Sequence, residues 1–315
     1  MCDKKCGSKM APVVERIKDI PNIDLGEGPY WDIETQSLFF VDIVGKAIHK
    51  YVPSTGKHTK AVLDKPVSLI VPVKGHKDKF VISHGKEVLI VTWDGVSSKV
   101  SKREKIAEVD QGIESRINDG KCDPTGRLWF GTIGPEPIFG QIERHRASFF
   151  SYDNGKVITH LTKVDISNGL AWNTALNKFY YIDSLKKTVD QFDVDLEAGI
   201  ISNRQPIFTF DKHNIAGVPD GMTIDADGNL WVAVFDGYKV LNIDPRRPET
   251  LLRTLDIPAK QTTCVAFGGP NLDILYVTSA KMTQDGVVLP PPDHGATYKV
   301  TGLGVKGVPV DEYVL

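Results

Sequence analysis

The sequence predicts an all-β fold, a six-bladed propeller built from four-stranded antiparallel blades. The main observation is an internal repeat. Residues 168–184 align without a gap with residues 27–43 and again with residues 263–279, and in the first alignment Trp172 falls on Trp31. Three weaker copies fill the intervals between these segments, at residues 68–83, 118–132 and 220–234.

The spacing of the six copies matches the period of a propeller blade. Their first residues are separated by 41, 50, 50, 52 and 43 positions, as expected for a four-stranded repeat. Each copy reads as a hairpin, in which an apolar strand, a turn with Asp, Gly, Asn or Pro and an alternating strand follow one another. Because the first strand of a blade lies beside the central channel, we expect the opening polar residue of each copy to point toward the axis. These residues are Glu27, Ser68, Asn118, Asn168, Asp220 and Thr263.

Composition and charge narrow the classes of function. The chain has 315 residues and a hydrophobic fraction of 41%, and since the repeat spans residues 27–279 we expect one domain over residues 13–315 after a flexible tail at residues 1–12. Its 38 basic and 40 acidic residues are intermingled, which argues against a nucleic acid partner. No apolar run approaches the roughly 18 residues of a membrane helix. We therefore expect a monomer with a small-molecule partner and no membrane.

The N-terminal segment and the cysteines indicate the compartment. The segment lacks the apolar region of a signal peptide. Cys2 and Cys6 lie in the tail, whereas Cys122 and Cys264 fall within predicted strands, a pattern typical of reduced thiols. No second Cys or His pair follows the first two cysteines at the spacing of a zinc finger. These features predict free cysteines and a cytoplasmic protein.

Three copies place an oxygen ligand at the same end of the same strand. Glu27 is flanked by glycines, Asn168 precedes a glycine, and Asp220 lies between a proline and a glycine. Alone, Glu27 would be interpreted as a solvated turn residue. Two carboxylates and an amide oxygen held close together repel one another unless a cation lies between them, and oxygen-only ligands suit a hard divalent ion. The sequence thus predicts one bound metal ion, Ca²⁺ first, with Zn²⁺, Mn²⁺ or Mg²⁺ as alternatives.

The third copy adds two polar residues with the spacing of one strand face. Arg116 and Asn118 point to the same side of a strand, and the residue between them turns into the blade. An arginine beside a metal site can hold an oxygenated substrate through forked hydrogen bonds. Asp119 is open to a second interpretation as a turn residue. For Asp123 and Asp225 the Asp-x-x-Gly pattern predicts a structural role in hairpin turns.

Between copies three and four lies a segment with the composition of a surface loop. Residues 134–146 contain prolines, glycines and charges, so we predict a loop over one face of the propeller that forms a candidate lid. His145 lies between two arginines in this segment and has no carboxylate partner implied by the sequence. We interpret it as a solvated surface histidine and not as a catalytic base.

Several blocks of the sequence resemble a known family. From about residue 14 to residue 307 the chain contains, in order, GEGPYWD, RINDGKCDPTGRLWFGT, DISNGLAW, YYIDS, VPDGMTIDADGNLWVA and TGLGVKG. In these blocks it resembles the family that contains regucalcin (senescence marker protein-30), the gluconolactonases and the luciferin-regenerating enzyme of fireflies. The segments VDIVGKAIHKYVPS and FTFDKH are most similar to those of the insect members.

The resemblance implies a six-bladed propeller with one divalent metal ion in its central channel. In that family the ion is bound through residues that match Glu27, Asn168 and Asp220, and the aspartate is also the proposed general base. Residues that match Arg116, Asn118 and, in the vertebrate regucalcins, Glu136 contact the sugar lactone. The sequence around the last of these, Gly-Pro-Glu-Pro, departs from the pattern of the family.

We therefore predict metal-assisted hydrolysis of a lactone or similar cyclic ester. The cation would act as a Lewis acid on the carbonyl oxygen while Asp220 takes a proton from the attacking water, and Arg116 and Asn118 would hold the hydroxyls of the ring. Two alternatives remain open. The same site would serve an organophosphate hydrolase or a luciferin-regenerating enzyme, and a non-enzymatic calcium-binding regulatory protein would need the ion but no turnover.

Overall fold

Six four-stranded antiparallel sheets form the molecule, as the sequence predicts. The computed structural model describes residues 11–284 and 286–315, so the expectations for Cys2, Cys6 and most of the predicted tail lie outside the described residues. Three single-turn 3₁₀ helices, at Thr174–Leu176, Ser184–Lys186 and Asp211–His213, are the helical elements of the described chain. The fold is therefore an all-β propeller with six blades.

Each of the first three blades consists of four consecutive strands, ordered from the axis outward. Blade 1 contains β2 (Gly26–Asp32), β3 (Ser37–Asp42), β4 (Ala47–Val52) and β5 (Lys57–Val62). Blade 2 contains β6 (Ile70–Pro72), β7 (Lys79–His84), β8 (Glu87–Thr92) and β9 (Lys102–Glu108). Blade 3 contains β10 (Arg116–Cys122), β11 (Leu128–Ile133), β12 (Ala147–Asp153) and β13 (Lys156–Val164).

The next two blades follow the same plan, and the last takes one strand from the start of the chain. Blade 4 contains β14 (Ser167–Asn173), β15 (Lys178–Asp183), β16 (Thr188–Asp195) and β17 (Ile200–Thr209). Blade 5 contains β18 (Val218–Ile224), β19 (Leu230–Phe235), β20 (Lys239–Ile243) and β21 (Leu251–Asp256). Blade 6 contains β22 (Gln261–Gly268), β23 (Ile274–Ala280), β24 (Tyr298–Thr301) and β1 (Val13–Arg16).

The first strand of the chain closes the ring. β1 pairs antiparallel with β24, with Val13 opposite Thr301 and Arg16 opposite Tyr298. It becomes the outermost strand of blade 6, whose other three strands come from the end of the repeat. The two ends of the propeller are thus held in one hydrogen-bonded sheet.

Hydrophobic side chains fill the six interfaces between neighbouring blades. Each of the six buried clusters joins residues of two adjacent blades. Between blades 3 and 4, for example, Trp129 and Phe149 pack with Trp172 and Phe179, and all but Trp172 are fully buried. Apolar burial of this kind is the dominant favourable term in folding. The ring is consequently held by contacts between blades and by the closing strand.

The topology places two long loops on one face. In an antiparallel blade the second strand runs back, so the connection to the third strand lies at the face where the inner strand begins. We call this the entrance face. Two of these connections are long, residues 134–146 in blade 3 and residues 281–297 in blade 6. The first is the predicted lid, and the structure confirms that it is a loop on one face of the propeller.

The C-terminal segment lies across the opposite face. Tyr313 donates its backbone N–H to the carbonyl of Pro72 (2.9 Å), and Val314 donates to Gly126 (3.1 Å). These contacts join the segment to the far ends of blades 2 and 3. No helix in the described residues combines the length and the apolar character needed to cross a bilayer.

Two aspartates form the hairpin turns that the sequence predicts. Asp123 accepts hydrogen bonds from the backbone of Thr125 (2.8 Å) and from Trp129 Nε1 (2.7 Å). Asp225 does the same in blade 5, where Asn229 N (2.8 Å) and Trp231 Nε1 (2.9 Å) donate to it. Both carboxylates are buried, and both have several N–H donors, so their predicted structural roles are confirmed.

Candidate metal centre

The inner strands depart from regular pairing where the predicted site lies. In five blades the register shifts at or beside the polar residue that opens the sequence copy, which indicates a β-bulge. A bulge inserts an extra residue and re-aims the side chains around it. The shifts lie between Glu27 and Tyr30, Ile117 and Asp119, Asn168 and Leu170, Pro219 and Met222, and Thr262 and Val265.

Glycines allow the inner strands to approach one another at these bulges. Gly28 has φ +52°, a conformation that side chains with a Cβ rarely adopt. A Cβ on Gly221 would lie 2.2 Å from Cys264 Sγ in the next blade, and a Cβ on Gly169 would lie 2.8 Å from the carbonyl oxygen of Asp220. The glycines that follow the predicted ligands are therefore required by the narrowness of the channel.

The three predicted metal ligands are buried. Glu27 is 6% exposed, Asn168 4% and Asp220 7%. Burial and the neighbouring Asp119 raise the pKa of Glu27 to about 8. Burial, followed by the charges of Glu27 and Asp119, raises the pKa of Asp220. Because Asp119 raises the pKa of both residues and Glu27 raises that of Asp220, the acidic side chains share one electrostatic environment beside the axis.

Asp119 also belongs to this group, although the sequence did not assign it to the site. It lies in β10 and is 2% exposed, so its interpretation as a turn residue is wrong. Its Oδ1 accepts the N–H of Gly120 (2.7 Å), whereas its Oδ2 is buried and has no hydrogen-bond partner. Burial raises its pKa to about 6. The sequence does contain a signal that could have identified Asp119, namely a polar residue followed by glycine. Asp119 precedes a glycine just as Glu27, Asn168 and Asp220 do.

Arg116 and Asn118 lie on the same side of β10, as the strand spacing predicts. Arg116 Nη1 donates to Asn118 Oδ1 (2.7 Å). The amide of Asn118 in turn donates to the carbonyl of Ser167 (2.9 Å) and to Asn168 Oδ1 (3.2 Å). Asn168 donates its own amide to Ser184 Oγ (2.8 Å). This chain of hydrogen bonds orients the amide oxygen that the sequence assigns to the metal.

The guanidinium of Arg116 lies near both the buried acids and Glu136 of the lid. Burial lowers its pKa, and the charges of Glu136, Glu27 and Asp220 oppose that effect. Glu136 lies on the lid, half-buried, where its Oε1 accepts the N–H of Gly140 (2.7 Å). The structure thus brings the six residues named from the sequence into one region at the entrance face.

Two further residues line the channel on its inner side, and sequence reasoning did not assign them to the site. Lys121 Nζ donates to the carbonyls of Leu170 (3.3 Å) and Met222, which belong to blades 4 and 5. Cys264 is buried beside Glu27, and burial together with that carboxylate raises the pKa of its thiol. A thiol that keeps its proton is a poor metal ligand, so the donor atoms of the site remain oxygens.

The donor set fits a hard divalent cation. Two carboxylates and an amide oxygen converge, an unpartnered carboxylate oxygen of Asp119 lies beside them, and oxygen ligands are those that Ca²⁺ and Mg²⁺ prefer. Within residues 11–284 and 286–315 no three His, Cys, Asp or Glu side chains are grouped closely enough to hold a metal without other ligands. The predicted ligand set contains two such side chains, Glu27 and Asp220, because its third ligand is the amide of Asn168.

A family model identifies the chain. The model described as the SMP-30/Gluconolactonase/LRE-like region matches residues 25–281, most of the chain and every blade. The chain belongs to the SMP-30/gluconolactonase/LRE-like family. The resemblance noted from the sequence blocks is thereby confirmed, and so is the fold that it implies.

Individual members of the SMP-30/gluconolactonase/LRE-like family support the assignment. Regucalcin of Macaca fascicularis is 38% identical over 291 residues, which cover 91% of this chain and 94% of the relative. The structure of a luciferin-regenerating enzyme has 47% identity and a TM-score of 0.93, and the match covers 97% of this chain and 100% of that one. A structure described as a calcium-binding protein, regucalcin, from Agrobacterium tumefaciens has 25% identity, a TM-score of 0.83 and coverages of 96% and 98%.

In this member of the SMP-30/gluconolactonase/LRE-like family the lid is joined to the blade beside it. His145 is 59% exposed, as the sequence predicts, but its Nδ1 lies 3.2 Å from Asp165 Oδ1. Arg144 pairs with the other oxygen of the same carboxylate at 2.8 Å. The expectation that His145 has no carboxylate partner is therefore wrong. The partner is 20 residues away and is brought to the lid by the fold.

Proposed function

We propose that this protein is a divalent-metal-dependent hydrolase of lactones or similar cyclic esters. The observation that supports it most is the convergence of buried carboxylates, an amide oxygen and a half-buried guanidinium at the entrance face of the channel. A purely structural metal site has no need of a half-buried arginine beside it. Perturbed acids and a cation in one cleft are typical of catalytic sites.

Glu27, Asn168 and Asp220 would hold the metal ion. Three protein ligands leave roughly three or four positions of a Ca²⁺ shell for water or substrate. When bound, a divalent ion supplies Lewis-acid polarisation of the ester carbonyl. Ca²⁺ is the first candidate because the donor set contains only oxygens, and the bacterial relative described as a calcium-binding protein supports that choice.

Asp220 would act as the general base. Burial and the neighbouring acids raise its pKa above that of an ordinary aspartate, which brings its basicity closer to neutral pH, where general bases are most effective. The carboxylate takes a proton from water as the water oxygen bonds to the carbonyl carbon. The ring C–O bond then breaks, and the proton passes to the departing ring oxygen, so that the product is a hydroxy acid.

Arg116 would bind the oxygens of the substrate. Among the described residues its intramolecular hydrogen bonds, to Asn118 Oδ1 and to the carbonyl of Ile117, both come from Nη1. The rest of the guanidinium is available for a forked contact with a carbonyl or ring oxygen. Asn118 orients both Arg116 and Asn168, so its contribution combines substrate binding with the positioning of a ligand.

The experiment that tests this function measures proton release from a panel of lactones. The panel contains glucono-δ-lactone and δ-valerolactone, each with the chelated protein and with added Ca²⁺, Mn²⁺, Zn²⁺ or Mg²⁺. We expect hydrolysis that depends on the metal and saturates with it. Tight metal binding without turnover of any lactone or ester would overturn the proposal and favour a calcium-binding regulatory protein.

A second candidate function uses the same metal site with a different substrate. The structure of a luciferin-regenerating enzyme is 47% identical over 97% of this chain, which makes a luciferin-regenerating reaction the alternative with the most specific support. Assaying that reaction beside the lactone panel, with the same metals, separates the two. Product formation in this assay alone, with no lactone hydrolysed, would replace the lactonase proposal.

A further inference from the structure

We propose that the preferred lactone carries an alkyl chain or another apolar substituent, which binds at the mouth of the channel. The inference rests on the proposed function and names its substrate class. It comes from the composition of the entrance face, where the buried polar centre opens toward a set of apolar side chains on the two long loops.

The two long loops meet across the channel. Residues 134–146 belong to blade 3 and residues 281–297 to blade 6, and these blades lie on opposite sides of a ring of six. Phe139 lies 6.5 Å from Phe235 of blade 5, measured between ring centroids. The adjacent Gly140 lies so close to the blade 6 loop that a Cβ there would be 3.3 Å from Gln284 Nε2. The lid therefore spans the mouth and contacts the far side.

The side chains at the place where the two long loops meet are apolar. Phe139, Phe235 and Met282 are half-buried and pack against the cluster between blades 1 and 2, which includes Leu25, the residue that directly precedes the strand of Glu27. Ile138, on the lid, remains 61% exposed. Further exposed valines, Val287 (53%) and Val288 (69%), lie on the loop of blade 6.

A small cavity lies beside this apolar set, between blades 5 and 6. Its volume is about 120 Å³. Met282, Val287 and Leu289 form its apolar side, and the ion pair of Asp236 and Lys260 (3.7 Å) lies on its polar side. The amide of Gln261, also in the lining, is occupied by the backbone of Met282, to which it donates (3.1 Å) and from which it accepts (2.8 Å). Only the side formed by Met282, Val287 and Leu289 can contact a hydrocarbon group, so the cavity extends the apolar surface of the mouth on one side.

Several polar groups of the site already have partners within the protein. Asn118 uses both ends of its amide on protein partners, and Glu136 uses one oxygen on the N–H of Gly140. A site that recognises hydroxyls gains selectivity from polar groups that the substrate satisfies. Here the free polar groups match the ester itself, and the apolar surface around it matches a hydrocarbon substituent.

The test compares lactones that share one ring and differ in substituent. With the metal-loaded protein, kcat/KM is measured for δ-valerolactone, δ-decalactone and glucono-δ-lactone. We expect δ-decalactone to exceed glucono-δ-lactone by at least about tenfold, the low end of what apolar pocket contacts provide. A preference for glucono-δ-lactone would overturn the inference while leaving the proposed hydrolase intact.

Two variants test whether the apolar side chains at the mouth of the channel cause this substrate preference. Phe139→Ala and Phe235→Ala are expected to lower kcat/KM for δ-decalactone by at least about fivefold, mainly through KM, and to leave δ-valerolactone unchanged, because the smaller ring does not reach the apolar mouth. Ile200→Ala is the matched control, since Ile200 is an exposed apolar residue (59%) on the outer strand of blade 4. Equal losses on both lactones, or no loss on either, would contradict the inference.

A binding measurement keeps the inference testable if no lactone is hydrolysed. Titration calorimetry with 6-pentylpiperidin-2-one and with piperidin-2-one, both resistant to hydrolysis, compares the same substituent without turnover. Tighter binding of the pentyl compound that Phe139→Ala abolishes supports the apolar mouth even if the hydrolase proposal fails. Equal affinities for the two compounds would refute the apolar mouth.

Discussion

Two groups of buried carboxylates in this propeller are alike in exposure and differ in their partners. At the turns, Asp123 and Asp225 each accept backbone N–H groups and an indole N–H. At the channel, Glu27, Asp119 and Asp220 are equally buried, yet one oxygen of Asp119 has no partner, and the charges of Asp119 and Glu27 raise the pKa of neighbouring acids.

The difference in hydrogen-bond partners distinguishes carboxylates that stabilise the fold from carboxylates suited to binding a metal ion or to catalysis. A buried carboxylate that the protein itself satisfies stabilises the fold, whereas acids that repel one another destabilise it and persist where a cation or a reaction requires them. The turn aspartates close each hairpin without outside help. The channel acids need a positive charge, and Arg116 and Lys121 supply only part of it. Substitutions in the two groups should therefore have different effects, and the largest effect on activity is expected at the channel.

Asp220→Ala is expected to lower lactone turnover at least about a hundredfold. The substitution removes the proposed base and one metal ligand, and the loss of general base catalysis alone costs roughly 10² to 10⁴ in rate. Turnover is measured by proton release at saturating metal. Asp227→Ala, a substitution of an exposed aspartate in the turn of the same hairpin, is the control and should retain full activity. Near wild-type turnover of Asp220→Ala would place the chemistry elsewhere.

Asp119→Asn tests whether the acid that sequence reasoning missed belongs to the metal site. The substitution keeps the shape of the side chain and removes one negative charge beside Glu27 and Asp220. We expect metal affinity to fall about tenfold, the lower end of the effect of residues that support metal ligands. Calorimetric titration with Ca²⁺ measures it. Unchanged affinity would show that the neighbouring charge is irrelevant to the ion.

Metal affinity is expected to rise with pH up to about 8. Burial and Asp119 raise the pKa of Glu27 to about 8, so below that pH the carboxyl holds a proton that the cation must displace. The expected change is about tenfold per pH unit for each proton displaced, and the contribution of Glu27 levels off above pH 8. Calcium titrations from pH 6 to 9, in buffers with different ionisation enthalpies, report both affinity and proton release. Flat affinity over this range would contradict the assignment of Glu27 as a ligand.

Asp225→Ala should leave the metal site unchanged and destabilise the fold. It removes the acceptor of Trp231 Nε1 and of two backbone N–H groups in a buried turn. Buried donors left without partners cost about 1 to 3 kcal/mol each, so we expect a loss of a few kcal/mol in the free energy of unfolding. Urea denaturation at saturating metal measures it, and calcium affinity of the folded variant serves as the control. A large loss of affinity would remove the distinction between turn and channel carboxylates.

Sequence reasoning predicted the inner half of each blade well because that half carries the strongest patterns. The polar-glycine pairs, the turn aspartates and the aromatic strands recur at a fixed period, and the structure places them as expected. The outer strands lack such a signal. β9, KREKIAE, is charged and mostly exposed, so nothing in its composition distinguishes it from a loop.

The parts of the site that could not be predicted from the sequence depend on three-dimensional features. Asp119 faces the channel because the register of β10 shifts between Ile117 and Asp119, and a bulge cannot be read from alternation alone. Lys121 reaches carbonyls in blades 4 and 5, and His145 pairs with Asp165. Such pairings depend on how the blades close and not on local sequence.

The pairing of β1 with β24 has a practical consequence for anyone who handles this protein. Four residues near the amino terminus, Val13–Arg16, form the strand that closes the whole ring. A purification tag appended upstream of residue 11 leaves this strand intact. A deletion that extends through Arg16 leaves β24 as a bare edge, to which another chain can add a strand. Shortened forms of this protein should therefore associate with one another even though the residues of the candidate metal centre are all present.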